Sequence, residues 1–183
     1  MKNFKIFPIF ILIFTCWFCT PDPLDEPKSE PIPTPGPGPT PTPSPGDAPV
    51  FKLVSTSGDT IKSSSYIGKV LVIFFFGNTC PFCIAVGPKV QTEIANIYQS
   101  NPKFSIIGID AWDGNLASVN SFRTQAQVSF PLLLMGGQIA NNYETTYDRI
   151  VIVDTNNNIV YRGSQRVSSD LNNVKLKLAN LLP

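Results

Sequence analysis

Residues Val70–Phe76 constrain the fold most, because they form an uninterrupted run of apolar side chains that are almost all β-branched or aromatic. A run of this kind is typical of a central parallel strand that is covered on both faces. Residues 104–109 form a second run of this type and predict a second buried strand. The chain is therefore predicted to fold around a parallel pair of buried strands, as α/β proteins do.

Shorter patterns complete this domain. Turn residues and apolar runs predict strands at 51–54, near Ile61 and at 130–134, and a hairpin that joins strands 150–153 and 159–162. Apolar spacings of three and four predict helices over 82–99, 116–126 and 171–181, the first kinked by Pro88. The apolar positions that mark these helices are Val86, Val90, Ile94, Ile97, Leu116, Val119, Phe122, Ala126, Leu171, Val174, Leu178 and Leu181. The predicted fold over residues 50–183 is a mixed central β-sheet flanked by helices, with short extra N-terminal strands.

The N-terminus has the pattern of an export signal. Lys2 and Lys5 precede a nearly apolar stretch at 6–18, and its ~13 residues are too few to span a bilayer. The stretch contains Cys16 after Ile13-Phe14-Thr15, which resembles a bacterial lipobox, with Cys19 as a second lipidation candidate. We therefore expect residues 1–19 to be a signal peptide, lipidated at Cys16. A plain signal peptide and an uncleaved anchor are the alternatives, and in all three cases the rest of the chain is exported. The lipoprotein would be anchored in the bacterial cell envelope, facing the periplasm or the outside.

A proline-rich segment follows. Residues 21–49 hold twelve prolines, many of them alternating with Thr, Ser or Gly. Because proline lacks a backbone donor and has a fixed φ, such a segment forms neither helix nor sheet. Residues 20–49 are therefore predicted to be an extended, disordered linker between a membrane anchor and the folded domain.

Two compositional features exclude whole classes of function. The chain has no histidine, which excludes Ser-His-Asp and Cys-His catalysis and most transition-metal sites. The formal net charge is +1 and no long basic run is present, so we expect no nucleic-acid partner.

The motif Cys80-Pro81-Phe82-Cys83 lies between the central strand and the first long helix, where α/β sheets place their ligand sites. The unpaired N–H groups and the dipole of a helix N-terminus favour an anion, and a thiolate is the nucleophile of thiol–disulfide exchange. We predict that Cys80 attacks a substrate disulfide and that Cys83 then attacks the mixed disulfide to release the product. Pro81 suits the first helical turn, where its missing N–H has no cost.

A Cys-x-x-Cys motif can also hold a metal or form a structural disulfide. A closed zinc site needs four ligands, but the remaining cysteines lie in the export segment. A structural disulfide is an open alternative, although so short a loop would add little stability. We expect no metal and no cofactor.

Several further residues continue the pattern around this motif: Phe51, Leu53, Gly58, Gly68-Lys69, the run 70–76, Pro88, residues 130–133, Tyr143, residues 151–154 and Ile159. Together they resemble the thioredoxin-like redoxins of the TlpA/ResA type over about residues 50–183. The resemblance implies a thioredoxin fold and an extracytoplasmic thiol–disulfide oxidoreductase, often membrane-anchored, that exchanges electrons with cysteines of partner proteins. It also implies substrate contacts from the site loops, for which the candidates are Pro81, Phe82, Tyr147, Asp148 and Arg149.

The sequence departs from that family at three places. Thr79 replaces a tryptophan before the first cysteine, and Asp148 stands where relatives carry a cis-proline facing the disulfide, which would bring a carboxylate near the thiols. Phe74 and Val86 occupy the two positions at which relatives carry a buried acid that accepts a proton. Glu93 and Asp110 are the possible substitutes for that acid, and we expect both to be solvated.

Two other functions remain open from the sequence. Peroxiredoxins share the fold, but Ile73 and Gly77 stand where their Pro-x-x-x-Thr-x-x-Cys pattern requires Pro and Thr. A non-catalytic thioredoxin-fold binding lipoprotein would explain the missing acid and the Asp148 loop. For the preferred redox function, the partners are proteins with thiols or disulfides and an unidentified electron donor or acceptor.

Overall fold

The computed structural model describes residues 46–182, which lie within one compact unit of the chain. The predicted signal peptide 1–19 with Cys16 and Cys19, and residues 20–45 of the predicted linker, lie outside the described residues. The backbone N–H of Ala48 donates to the carbonyl of Asn157 at 2.7 Å, and the Tyr143 hydroxyl donates to the carbonyl of Pro49 at 2.9 Å. The packed part of the chain therefore extends beyond the predicted domain boundary at residue 50.

Seven strands and five α-helices make up the described domain. The strands are β1 Lys52–Val54, β2 Thr60–Lys62, β3 Val70–Phe76, β4 Phe104–Asp110, β5 Leu132–Leu133, β6 Arg149–Val153 and β7 Ile159–Arg162. The helices are α1 Pro81–Val90, α2 Asn96–Tyr98, α3 Leu116–Ala126, α4 Gly137–Asn142 and α5 Val167–Leu181, with a π-helical segment Gln91–Ala95 between α1 and α2 and a 3-10 turn at Ser63–Tyr66. Over residues 46–182, no helix has both the length and the apolar content needed to cross a membrane.

The five-stranded sheet has the order β5-β4-β3-β6-β7, so the apolar run Val70–Phe76 is its central strand, as predicted. β3 pairs in parallel with β4 and antiparallel with β6, and β6 pairs antiparallel with β7. The predicted hairpin is present between β6 and β7. Asp154 closes its turn, because the carboxylate accepts the N–H groups of Asn156 and Asn158 at 2.9 and 2.8 Å. β1 and β2 form the separate N-terminal hairpin that the sequence predicts.

The two faces of β3 belong to two apolar clusters, because successive side chains of a strand point to opposite faces. Phe74 and Phe76 pack in the cluster that includes buried residues of α1, α3 and α5. Ile73 and Phe75 pack in the other cluster, with residues of α4 and of the N-terminal segment. Every residue of β3 is buried, which is why the strand contains no polar position.

The predicted helix at 82–99 is divided into three parts. α1 continues through Pro88 and widens into the π-helical segment, where the N–H of Gln91 donates to the carbonyls of both Gly87 and Pro88. This widening rotates the following residues about the helix axis, so that different side chains face the core. Ile97, which the spacing placed on the buried face, is therefore 64 % exposed.

Two further expectations are corrected. Leu116 is half exposed because it lies in the first turn of α3, where Asn115 caps the helix, whereas Val119, Phe122 and Ala126 are buried as expected. The predicted strand 130–134 is reduced to Leu132–Leu133. Pro131 cannot donate a hydrogen bond to a neighbouring strand, and the pairing with β4 covers the two leucines alone.

Candidate active site

Cys80 lies where the central strand passes into α1. After β3 the chain turns over residues 77–79, and the backbone N–H of Cys80 donates a hydrogen bond to the carbonyl of Gly77 at 3.0 Å. Cys80 is the N-cap of α1, and its Sγ accepts the backbone N–H of Cys83 at 3.3 Å. Pro81 occupies the first turn, as the sequence predicted. The first sulfur therefore receives a hydrogen bond from an N–H group that has no partner within the helix.

The second cysteine of the motif, Cys83, is as deeply buried as the first. Both cysteines are free thiols and both are buried, with Cys80 1 % exposed and Cys83 0 % exposed. Burial raises the pKa of the Cys83 thiol well above its usual value. The hydrogen bond with Cys80 and the charges of Cys80 and Asp148 raise this pKa further, whereas the backbone of Gly77 lowers it. Cys83 therefore holds its proton firmly in the reduced protein.

Asp148 directly precedes β6, the strand that pairs antiparallel with the central strand. Arg149 of β6 is paired with Phe75 of β3, so Asp148 lies level with Phe76, the last residue of the central strand. Asp148 adopts a left-handed backbone with φ 55°, which Asp tolerates better than most residues. It is 3 % exposed, and its Oδ1 accepts the N–H of Val167 at the start of α5 at 3.2 Å. The expectation that this loop brings a carboxylate near the thiols stays a prediction, and the charge of Asp148 is the smallest of the causes that act on the Cys83 pKa.

Burial also changes the acidity of Asp148. The loss of water raises the pKa of its carboxyl group, and the N–H of Val167 and the charges of Arg149 and Arg166 offset part of that rise. Arg149 also donates from Nη1 to the backbone carbonyl of Asp148 at 2.8 Å. The loop is thus held to α5 by its carboxylate and to β6 by its neighbouring arginine.

A cleft of about 310 Å³ opens next to the first turn of α1. It is lined by Phe82, Thr146, Tyr147, Asp148, Arg149 and Arg166. The structure therefore brings the candidates Phe82, Tyr147, Asp148 and Arg149 together in one cleft, whose lining residues do not include Cys80 or Cys83.

Sequence reasoning missed Arg166, which lies in this cleft. Its guanidinium carbon is 3.5 Å from the centroid of the Phe82 ring, and Phe82 is 51 % exposed. Arg166 is the N-cap of α5. The signal that could have found it is its position just before the last predicted helix, which begins at the same edge of the sheet as α1.

Trp112 is the second residue that the sequence did not single out. Its ring lies over Gly77, because a Cβ at Gly77 would come within 2.5 Å of the indole. The same ring meets Tyr147 edge-on, with centroids 4.8 Å apart. The family places its tryptophan at the position of Thr79. Here the indole of Trp112, which follows β4, covers the turn before Cys80. Because sites in α/β sheets lie beyond the carboxyl ends of the strands, this position could have been found from the sequence.

The expectation that Asp110 is solvated is wrong. Asp110 is 0 % exposed, and its carboxylate accepts N–H groups from Asn78 at 3.2 and 3.0 Å, from Trp112 at 3.2 Å and from Gly114 at 2.6 Å. These bonds join the turn before Cys80 to the segment after β4. A buried carboxylate with this many donors is a structural group, since the hydrogen bonds offset its burial.

Glu93, the other possible substitute acid, lies on the π-helical segment. It is partly exposed and pairs with Lys175 of α5 at 2.6 Å. Phe74 and Val86, at the positions where relatives carry the acid, are both buried in the apolar cluster. Among residues 46–182, no three side chains of His, Cys, Asp or Glu are grouped so that they could hold a metal ion.

A five-stranded mixed sheet whose central strand leads into a helix that starts at Cys-x-x-Cys defines the class of thioredoxin-fold redoxins. Residues 46–162 match the family described as the AhpC/TSA family. Since this match covers more than half of the chain, the chain belongs to the AhpC/TSA family. A comparison with curated proteins found no match.

Solved structures agree with this assignment. A candidate protein disulfide isomerase from Bacteroides thetaiotaomicron superimposes with a TM-score of 0.67 at 27 % identity, over 74 % of this chain and 87 % of that one. A candidate thiol:disulfide interchange protein DsbE from Chlorobium tepidum gives 0.65 at 19 % identity, over 75 % and 96 %. The thioredoxin domain of a thiol-disulfide oxidoreductase from Bacteroides vulgatus gives 0.61 at 18 % identity, over 74 % and 99 %. The prediction of a redoxin-family oxidoreductase with the thioredoxin fold is confirmed.

Proposed function

We propose that this protein exchanges a Cys80–Cys83 dithiol or disulfide with the cysteines of partner proteins. The observation that carries the proposal is the N-cap position of Cys80, whose sulfur accepts the Cys83 N–H at 3.3 Å at a helix start beside an open cleft. Unpaired N–H groups at a helix start stabilise a thiolate, the attacking species in exchange.

The proposed reaction has two steps. The Cys80 thiolate attacks one sulfur of a substrate disulfide, which forms a mixed disulfide and expels the other substrate sulfur as a thiolate. Cys83 then loses its proton and attacks Cys80, which forms the Cys80–Cys83 disulfide and releases the second substrate thiolate. The substrate gains two electrons and the dithiol loses two. The reverse direction oxidises a partner dithiol by the same bonds.

The cysteine roles can be separated with two serine variants. Cys80→Ser should abolish reduction of insulin by the reduced protein, because no first nucleophile remains. Cys83→Ser should instead accumulate a mixed disulfide at Cys80, visible by mass spectrometry, because the second step is blocked. Full activity in Cys80→Ser would refute the proposal.

The alternatives give different results in the same preparation. Peroxide consumption that matches or exceeds disulfide exchange would support a peroxidase, the function that the match to the AhpC/TSA family makes worth measuring. A binding module would leave both thiols reduced in the presence of disulfide substrates.

We further propose that the domain works outside the cytoplasm, as a bacterial lipoprotein anchored through Cys16 and tethered by residues 20–49. The charged start and short apolar stretch of the N-terminus support this location. In bacterial cells fed a labelled fatty acid, Cys16→Ser should lose the label and release the domain from the membrane fraction. Cys19→Ser is the matched control and should keep the label. Loss of the label in Cys19→Ser but not in Cys16→Ser would identify Cys19 as the lipidated residue.

A further inference from the structure

Three aromatic side chains stay exposed around the Cys-x-x-Cys motif. Phe82 is 51 % exposed, Trp112 42 % and Tyr147 39 %, and no other aromatic side chain in the described part of the chain is as open. Phe82 stands between the two cysteines, whereas the Trp112 ring lies over Gly77 in the turn before Cys80. Tyr147 contacts the Trp112 ring and lines the same cleft as Phe82. This aromatic surface therefore borders the motif on both sides, and exposed aromatic residues are typical of protein interfaces.

Arg166 adds a positive charge whose hydrogen-bonding capacity is unused. Its guanidinium carbon lies over the Phe82 ring, 3.5 Å from the centroid, and a guanidinium placed there keeps N–H donors available at its edges. Within the residues that the structure describes, the Arg166 side chain forms no hydrogen bond and no ion pair. Although Arg166 is the N-cap of α5, its side chain makes no capping bond. Neither helix capping nor a salt bridge therefore accounts for an arginine at this position.

The cleft carries more accessible positive than negative charge. Arg149 and Arg166 line it together with Asp148. Arg149 is partly exposed and donates from Nη1 to the carbonyl of Asp148. Asp148 is buried, and its Oδ1 accepts the N–H of Val167, so little of its charge faces solvent. The exposed Asp113 lines the adjoining cavity instead.

We propose that this cleft binds an acidic segment of the partner protein, next to the cysteine with which Cys80 reacts. The inference rests on the proposed function of the cysteine pair and names the class of partner. A partner carboxylate accepts paired N–H groups from Arg166, because the planar guanidinium suits a carboxylate, and Arg149 lines the same cleft as a second cation. The exposed rings of Phe82 and Tyr147 pack against the bound segment. The charges thus select the partner, and the exchange of sulfur bonds is unchanged.

Three matched peptide disulfides test this preference. Each is the symmetric disulfide of a short peptide whose single cysteine is flanked by glutamates, by glutamines or by lysines. The reduced full-length protein would be mixed with each peptide at low ionic strength, and peptide reduction followed by mass spectrometry. Reduction of the same peptides by dithiothreitol corrects for their intrinsic reactivity.

We expect the corrected rate for the glutamate peptide to exceed that for the glutamine peptide about three- to tenfold, because carboxylates pair with the arginines of the cleft. The lysine peptide should be the slowest of the three, because the cleft repels it. The preference should shrink at high salt, since salt screens exposed charges.

Arg166→Gln should lose most of the preference for the glutamate peptide. Arg166→Lys should keep part of it, because an ammonium group has the charge without the planar fork. The ratio of the glutamate to the glutamine rate is compared between variants, since a change in thiol reactivity affects both peptides alike and cancels. Lys89→Gln is the matched control, because it removes the same charge from an exposed position in the last turn of α1, and it should keep the wild-type ratio.

Equal corrected rates for the three peptides, or a wild-type ratio in Arg166→Gln, would overturn the acidic partner and leave the cysteine chemistry standing. An Arg166-dependent preference confined to oxidised glutathione, a small disulfide that also carries carboxylates, would overturn a protein partner in the same way. A wild type that reduces none of the peptides would instead contradict the proposed function, and this inference with it.

Discussion

The requirement for glycine at position 77 comes from a residue that is far away in the sequence. Its φ is not in the left-handed region, so its backbone conformation does not require glycine. The requirement comes from Trp112, because a Cβ at this position would lie 2.5 to 2.8 Å from three atoms of the indole ring. The absence of a side chain lets the indole cover the turn that leads to Cys80. Gly77 thereby allows an aromatic wall at the site without a tryptophan next to the cysteine.

Gly77→Ala should destabilise the protein by about 1–3 kcal/mol, because a methyl group forced into a packed site displaces its neighbours. Urea unfolding of the reduced protein would measure this. Trp112→Leu in the same chain should recover part of the loss, since the flat ring that meets the methyl group is gone. A double-mutant cycle with no coupling between the two positions would contradict this reading of the contact.

At the scale of elements, α1 is positioned by its close approach to α3. Gly87 of α1 faces Ala126, and a Cβ at Gly87 would lie 2.5 Å from the Ala126 carbonyl oxygen and 2.6 Å from its Cβ. Because the closest of these contacts is backbone, a rotamer change cannot relieve it. The spacing between the helices therefore depends on glycine in a position where alanine would make a better helix former.

Helix propensity and packing act in opposite directions on the stability of Gly87→Ala. Helix propensity would favour alanine by about 0.5–1 kcal/mol, whereas overpacking costs about 1–3 kcal/mol. We expect a net loss of stability in urea unfolding, because the backbone of α3 cannot move away without disturbing the buried Phe122. Ala126→Gly in the same chain should restore only part of it, since the carbonyl contact remains. A stabilised Gly87→Ala would mean that the helices are free to separate.

At the scale of the whole molecule, one buried charge ties stability to pH. Asp148 is held 3 % exposed at the junction of β6 and α5, and burial raises the pKa of its carboxyl above 3.8. The folded state then binds this proton more tightly than the unfolded state does. The cost of the buried charge is therefore absent well below pH 3.8 and complete above the raised folded-state pKa.

The pH dependence of unfolding should reveal this cost. The stability of Asp148→Asn minus that of the wild type should grow as pH rises through the window above pH 3.8 and then level off. Urea unfolding of the reduced proteins across that window would measure the difference. Asp59→Asn, which removes an exposed carboxylate, is the control and should show no such growth. A difference that grows toward low pH would contradict the raised pKa of Asp148.

Much of the architecture was predictable because its signals are local. A strand buried on both faces must be apolar throughout, so Val70–Phe76 could be placed at the centre of the sheet. The Asp154 turn closes its hairpin through bonds within five residues. Cys80 was expected at a helix start because strand, turn and helix patterns follow one another along the chain.

What the sequence alone could determine was a mixed α/β sheet and the place of the cysteine pair, since both follow from periodicity and turn chemistry, whereas the thioredoxin type was implied by the resemblance to a family. The tertiary structure decided what surrounds the pair. The π-helical widening exposes Ile97, and three donor groups make a buried Asp110 tolerable. Trp112 covers the turn before Cys80, and Asp148 and Arg166 line one cleft from the starts of a strand and a helix. Those outcomes depend on packing between segments far apart in the chain, and neither residue spacing nor local propensity contains that information.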